Sequence, residues 1–192
     1  MYYHASTIKG ITVLEPRISN NGIPLIYFSA KRENVLVYLS NAVEKYCKET
    51  NFLHEGNWHK WASYGFSEDG RQRIEEYYPD ALYKTYKGVS GYIYSADEIV
   101  ESGFLTQIPD AATSSVPVKV TGAEFIPDAY TAILEAEKRG LLTIRRFCDM
   151  TEKMLGQNRK MIIKEYADAA EHPEYRHFLR GNFPDYFPEE NL

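Results

Sequence analysis

At 192 residues the chain is long enough for one domain with a sizeable core, since domains cluster at about 100 to 200 residues. Its 44% hydrophobic and 14% aromatic content, with 16 tyrosines, excludes a disordered chain, which would lack the aromatic residues that build a core. With 22 Lys and Arg against 27 Asp and Glu, the net charge of −5 leaves no general basic field for a phosphate backbone and argues against nucleic acid as a partner.

In chain order, residues 1 to 4 read as a short strand, and Ile8 to Leu14 as a turn into a second extended piece ending at Glu15-Pro16. Ser19-Asn20-Asn21-Gly22-Ile23-Pro24 is turn chemistry, because Asn and Gly accept positive φ and Pro fixes its own. Leu25 to Phe28 reads as a buried strand. Between Arg32 and Glu49, Val35, Leu36, Leu39, Ala42, Val43 and Tyr46 recur at helical spacing, which predicts one helix with Lys45 and Lys48 near the negative end of its dipole.

Residues 51 to 66, with Trp58, Trp61, Tyr64 and Phe66, read as strands or an aromatic hairpin around a Gly56-Asn57 turn. A helix is expected from Gly70 to Tyr77, broken by Pro79 and resumed to Tyr86. Gly91 to Ser95 is a strand signal, Ala96 to Ser102 a short helix, Pro109 to Ser115 a loop and Val116 to Val120 another strand.

From Pro127 helix signals dominate: Pro127 in a first-turn position, a periodic run from Asp128 to Lys138, and Gly140 as its C-cap. A second long helix is expected over 149 to 171. The tail from His172, with Pro173, Pro184, Pro188 and five aromatics, reads as an irregular segment that either closes the core or offers a docking surface to a partner or a second copy. The division expected is a core over 1–126 and a helical extension over 127–192.

Several chemistries find no pattern. Cys47 and Cys148 stand apart, outside any metal or redox spacing, and read as reduced thiols. His54 and His59, like His172 and His177, are five residues apart without a third ligand nearby, so no metal site is expected. Gly-x-Gly-x-x-Gly, Walker, Gly-x-Ser-x-Gly and His-Glu-x-x-His signatures do not occur. No apolar run reaches the roughly 18 residues of a membrane span, and the start lacks a signal-peptide pattern, so a cytoplasmic protein without membrane attachment is the expectation.

One pattern does carry function. His4-Ala5-Ser6 closes the first strand, and Tyr27-Phe28-Ser29 ends the next strand ahead of a helical segment. Together with Gly91-Tyr92-Ile93-Tyr94 and the later Ser115-Val116-Pro117-Val118 stretch, this resembles the ADP-ribosyltransferase-like family over residues 1 to about 130. The resemblance implies an α+β fold with a split, mostly antiparallel sheet, and NAD bound as a substrate in the cleft. It implies that His4 bonds a ribose hydroxyl, that the Ala5 backbone pairs with the nicotinamide amide, that Ser6 and Ser29 supply neighbouring hydroxyls, and that Tyr27 stacks on the nicotinamide.

Many members add a carboxylate that orients the ribose or acts as general base; the nearest counterpart is Glu124, after the Val116 strand, which otherwise is a solvent-facing residue. Branches without that Glu include the rifampin-modifying transferases and RNA 2′-phosphotransferases, and a phosphate site of that kind would use arginine, with Arg17 as its candidate and Arg32 nearby. Read without the resemblance, His4 is a structural strand histidine and Tyr27 a core aromatic. The expected activity is ADP-ribose transfer to a small-molecule or protein acceptor, the alternative a non-catalytic nucleotide-binding or protein-interaction module on the same fold.

Overall fold

The computed structural model describes residues 1–18, 22–55, 58 and 61–187. Ser19 to Asn21 of the first turn, the Gly56-Asn57 turn, His59 and the tail from Pro188 lie outside the described residues. The fold is α+β, and its largest sheet, among the described residues, has six strands.

β1 (Tyr2–Ser6) is the pivot of that sheet. It pairs antiparallel with β7 (Gly91–Ala96) from Tyr2↔Ala96 to Ser6↔Tyr92, and β7 pairs in turn with β10 (Gly122–Ile126). On the other side β1 meets β4 (Pro24–Ser29) only at Tyr3↔Ser29, among the described residues. β4 is held instead by β8 (Ala111–Ser114) over four pairs and by β3 (Arg17–Ile18) over two. β2 (Val13–Leu14) pairs separately with β9 (Val118–Lys119). Close approach fixes glycine at the start of β7, because a Cβ on Gly91 would lie 2.6 Å from Leu39 Cδ2 and 2.9 Å from the Ser6 carbonyl.

Period-two alternation sends the two faces of the sheet into different cores. Ala5 and Ile93 bury on one face with Leu36, Leu39, Ile133 and Leu142. Ile26 and Phe28 bury on the other with Leu14, Ala96 and Val118, joined by Tyr2. A third, aromatic core gathers α1 (Ala42–Glu49), α4 (Glu152–Asp168) and α5 (Pro173–Asn182) around Trp61, Tyr78, Tyr175, Phe178 and Phe183.

Several expectations change. The single helix over 32 to 49 divides into a 3-10 helix, Arg32–Tyr38, and α1, with Leu39 to Asn41 non-helical between them. Asn34, Val35, Leu36 and Val37 are consecutive and all buried, which no single face of an α-helix permits, and β-branched Val35 and Val37 weaken the α form. The helix expected over 70 to 77 is a strand, β6 (Gln72–Glu75), paired with β5 (Tyr64–Phe66). Ile74, Tyr77 and Tyr78 fit helical spacing, but Gln72 and Ile74 alternate inward, and the buried Gln72 donates from Nε2 to the Asn34 carbonyl at 3.0 Å. Among the described residues of the expected aromatic hairpin, Tyr64–Phe66 is strand and Trp58 is not.

Residues 97 to 105 form no helix, and the expected loop over 109 to 115 contains β8, which completes the edge of β4. Of the strand expected over 116 to 120, Val118–Lys119 pairs. β10 and β11 (Thr143–Arg145), the latter parallel to β6, have no counterpart among the sequence expectations. The tail is helical, as α5 and a 3-10 turn at Pro184–Tyr186, and Phe178 packs against Tyr46, Trp61, Tyr78 and Tyr175, so its aromatics face inward. Packing also crosses the 126/127 boundary, since Ala129, Ile133 and Leu142 share a core with Ala5 and Ile93.

α2 (Ala81–Tyr86), α3 (Ala129–Lys138) and α4 lie where the periodicity indicates. Gly140, at φ +72, ends α3 in the left-handed conformation expected of it. At its other end Asp128 caps α3, accepting from the Thr131 amide at 2.8 Å and from the Gly88 amide at 2.9 Å. Burial alone would raise the Asp128 carboxyl, but these bonds, the Thr131 hydroxyl and Lys87 outweigh it and hold the group at about 2. Asp128→Ala is expected to cost about 1 kcal/mol at neutral pH in urea unfolding. Because the folded value lies below the unfolded one of about 3.9, that difference persists above roughly pH 4 and shrinks as pH falls towards 2.

Candidate functional site

Where β1 and β4 separate beyond Tyr3↔Ser29, a cleft of about 300 Å³ opens. His4 and Ser6 of β1, Arg17 of β3 and Leu25 to Tyr27 of β4 line it, with Ile8, Ile11, Val13 and Glu15 from the intervening segment. His4 stands in the gap, and its Nδ1 lies 2.9 Å from the Tyr27 carbonyl oxygen. A carbonyl can only accept, so Nδ1 carries the proton in this arrangement. The imidazole replaces ladder hydrogen bonds that the parted strands do not make, and its ring meets Phe28 edge-on at 6.1 Å.

The wall opposite the strands is braced from below. Tyr94, paired with His4 across the ladder and almost fully buried, donates its hydroxyl to the Ile8 carbonyl at 2.6 Å and accepts from the Ile11 amide at 3.3 Å. Ser6 Oγ accepts from the Ile8 amide at 3.2 Å, which ties the same loop to the end of β1. Arg17 and Glu15 are both exposed at the mouth and bring one charge of each sign. The cleft can therefore offer an imidazole, a hydroxyl, a guanidinium and a carboxylate against an apolar wall.

The other expected site residues divide. Ala5 is 4% exposed in the core behind β1. Ser29 is buried and accepts from the Lys31 amide at 3.1 Å, a local turn contact. Tyr27 gives the cleft its carbonyl, but Tyr3↔Ser29 pairing and alternation along β4 put its ring on the sheet face opposite His4. There it neighbours Tyr38, whose phenol is pushed well above its usual range first by burial and then by Tyr64, with Tyr27 adding to the effect. Tyr38 and Tyr64 hydroxyls are 2.6 Å apart, their rings edge-to-face.

Glu124 also lies on that opposite face. Ala5↔Ile93↔Glu124 is a straight cross-strand row, and directly opposed residues share a face. Its carboxylate is gripped by Arg32 through Nε at 2.7 Å and Nη2 at 2.6 Å, the bidentate geometry of a guanidinium–carboxylate pair. The Glu124 hydrogen bond leads the causes that raise Arg32 above its usual value. The expectation that Glu124 serves the cleft is thus corrected by strand register. Arg32, weighed beside Arg17 for a phosphate site, is the ion-pair partner of Glu124.

Glu15 and Tyr94 went unremarked as site residues. Glu15 carried no signal beyond preceding Pro16, whereas Tyr94 belongs to the Gly91-Tyr92-Ile93-Tyr94 stretch of the resemblance, which assigns it no role. No group of three His, Cys, Asp or Glu side chains among the described residues is placed to hold a metal ion. No helix among them is long and apolar enough to cross a membrane. No protein-family model, curated protein or solved structure matches the chain.

The Arg32–Glu124 pair is part-exposed at both ends, at 28% and 52%, so water screens it. A double-mutant cycle with Arg32→Ala and Glu124→Ala is expected to return a coupling below about 1 kcal/mol in thermal or urea unfolding.

Proposed function

We propose that this chain is an ADP-ribosyltransferase-like protein that binds NAD in the cleft between β1 and β4. The observation that carries this reading is the parting of the sheet after Tyr3↔Ser29 with His4 standing in the gap, bonded to the Tyr27 carbonyl. The motif residues His4 and Ser6, Arg17 and the Tyr27 backbone converge there from three strands. A volume of about 300 Å³ suits a ring-and-sugar half of a dinucleotide, with the remainder at the open mouth beside Arg17, where a guanidinium can pair with pyrophosphate.

In this reading His4 bonds a ribose hydroxyl, Ile8, Ile11 and Val13 cover the ring, and Arg17 takes the phosphates. Transfer of ADP-ribose to an acceptor would further require a carboxylate at the ribose, and Glu15 is the acidic residue lining the cleft. A second reading, a nucleotide-binding module without catalysis on the same fold, is favoured by two placements: the Glu124 carboxylate engaged by Arg32, and the Tyr27 ring facing away from His4. Either way the protein binds a nucleotide, with its acceptor or partner reached from the mouth of the cleft.

Titration calorimetry with NAD and with ADP-ribose tests the binding. Saturable binding that His4→Ala weakens by roughly fivefold, the scale of one lost hydrogen bond, is expected, with the variant's melting temperature measured alongside. Absence of binding to either ligand at millimolar concentration by folded protein overturns the proposal. Nicotinamide release from NAD, retained by Glu124→Gln and lost in Glu15→Gln, would support the transferase reading; binding without any release supports the non-catalytic one.

A further inference from the structure

A larger cavity lies elsewhere in the molecule, with a volume of about 660 Å³ and no lining residue in common with the β1–β4 cleft. It opens between α4, the end of α5 with the 3-10 turn that follows, and the Tyr77 to Pro79 segment. Behind one side lies a chain of aromatic rings, of which Tyr78 and Phe183 are 2% and 3% exposed and Tyr186 is the part-exposed end. Tyr78 meets Phe183 edge-on at 5.3 Å, and Phe183 stacks on Tyr186 at 5.4 Å.

Two cations stand over these rings, Lys84 at 5.3 Å from the Tyr78 ring centre and Arg159 at 5.6 Å from that of Tyr186. Neither has an ion-pair partner among the described residues, although the chain carries an excess of acid, with a net charge of −5. Asp185 is the one carboxylate among the described lining residues. Arg159 is exposed on the Tyr186 ring, so its guanidinium N–H groups can reach an anion in the cavity.

Gly156 supplies an independent observation. It sits inside α4, where glycine weakens a helix, and nothing lies within 4 Å of the position its Cβ would take. Gly181, on the opposite side, is different: a Cβ there would fall 1.7 Å from the Tyr46 hydroxyl, so packing within the fold demands it. No such packing explains Gly156. Gly156 is exposed among the lining residues, so a side chain there would project into open space at the cavity.

We infer that this cavity is a binding site for a small planar aromatic ligand bearing one anionic group, with the ring against the Tyr186 end of the cavity beside Gly156 and the anion at Arg159. The volume falls in the range of small-molecule sites, and an aromatic wall with a few converging polar groups is their usual composition. Benzoate- or naphthoate-like acids and nucleoside monophosphates share this chemistry.

Titration calorimetry with 2-naphthoate, uncharged 2-naphthamide, AMP and adenosine tests the assignment and separates the two sources. Saturable binding is expected for at least one of the two anions, weakened about tenfold or more when the charge is absent from the ligand or removed by Arg159→Gln, the scale of a lost charge-assisted hydrogen bond. Gly156→Leu should weaken binding about tenfold or more by projecting a side chain into the cavity, without lowering the melting temperature, because leucine favours the helix. Gly156→Ala should leave binding in place, and His4→Ala, which empties the other cleft of its imidazole, should not affect it. Failure of both anions to bind folded protein at millimolar concentration, equal affinity for the charged and uncharged forms, or unchanged binding in Gly156→Leu would each overturn the inference.

Discussion

β1 is hydrogen-bonded to β7 at five consecutive pairs and to β4 at Tyr3↔Ser29. That asymmetry organises the molecule. A fully zipped β1–β4 ladder would bury both strands' backbone groups against each other and leave no gap for His4. Because the ladder stops, the carbonyl of Tyr27 needs another donor, and the imidazole provides it at 2.9 Å. The loop from Ile8 to Ile11 can then fold over the gap, held by the Tyr94 hydroxyl from the neighbouring strand. The two sides of the sheet also acquire separate identities: His4, Ile26 and Phe28 face one core, Ala5, Ile93 and the Tyr38–Tyr64 pair belong with the other.

The second half of the chain is built into this frame. α3 seals the first core with Ala129 and Ile133, both fully buried, while β11 adds a parallel strand to β6. α5 then returns to α1, where Tyr46, Cys47, Phe178 and Leu179 meet. Aromatic residues dominate that junction because edge-to-face and stacked rings fill irregular space between helices while burying large apolar areas. The same aromatic wealth leaves rings on the wall of the larger cavity, where Lys84 and Arg159 rest on them. Cys47 is sealed in this junction and its thiol is raised by burial first and by Glu174 second, which makes it a packing residue.

Much of the helix content was legible because α3 and α4 carry their own punctuation. Asp128 and Thr151 cap their helices by accepting from Thr131 and Met154, and Gly140 stops α3, all local interactions written in short stretches of sequence. The strands that were missed, β6, β8, β10 and β11, are short, and each depends on a partner distant in sequence. Gln72 shows the difficulty: a buried glutamine breaks the apolar alternation that marks a strand, and its partner, the Asn34 carbonyl, is supplied by another part of the fold. In the candidate site, His4, Ser6 and Tyr27, named from motifs, and Arg17, named as a phosphate candidate, share a cleft lining, but motif spacing carries no information about which face a side chain takes once β10 is in register.

By itself the sequence determined the α+β class, the positions of the capped helices and the placing of a histidine beside a tyrosine-bearing strand, because composition, periodicity and caps act over a few residues. Tertiary structure alone decided that β1 and β4 part after one pair, that Glu124 turns to Arg32 on the face away from His4, and that the tail folds back as α5. Those outcomes rest on strand register and on packing between segments far apart in the chain, where a shift of one residue exchanges the two faces of a sheet.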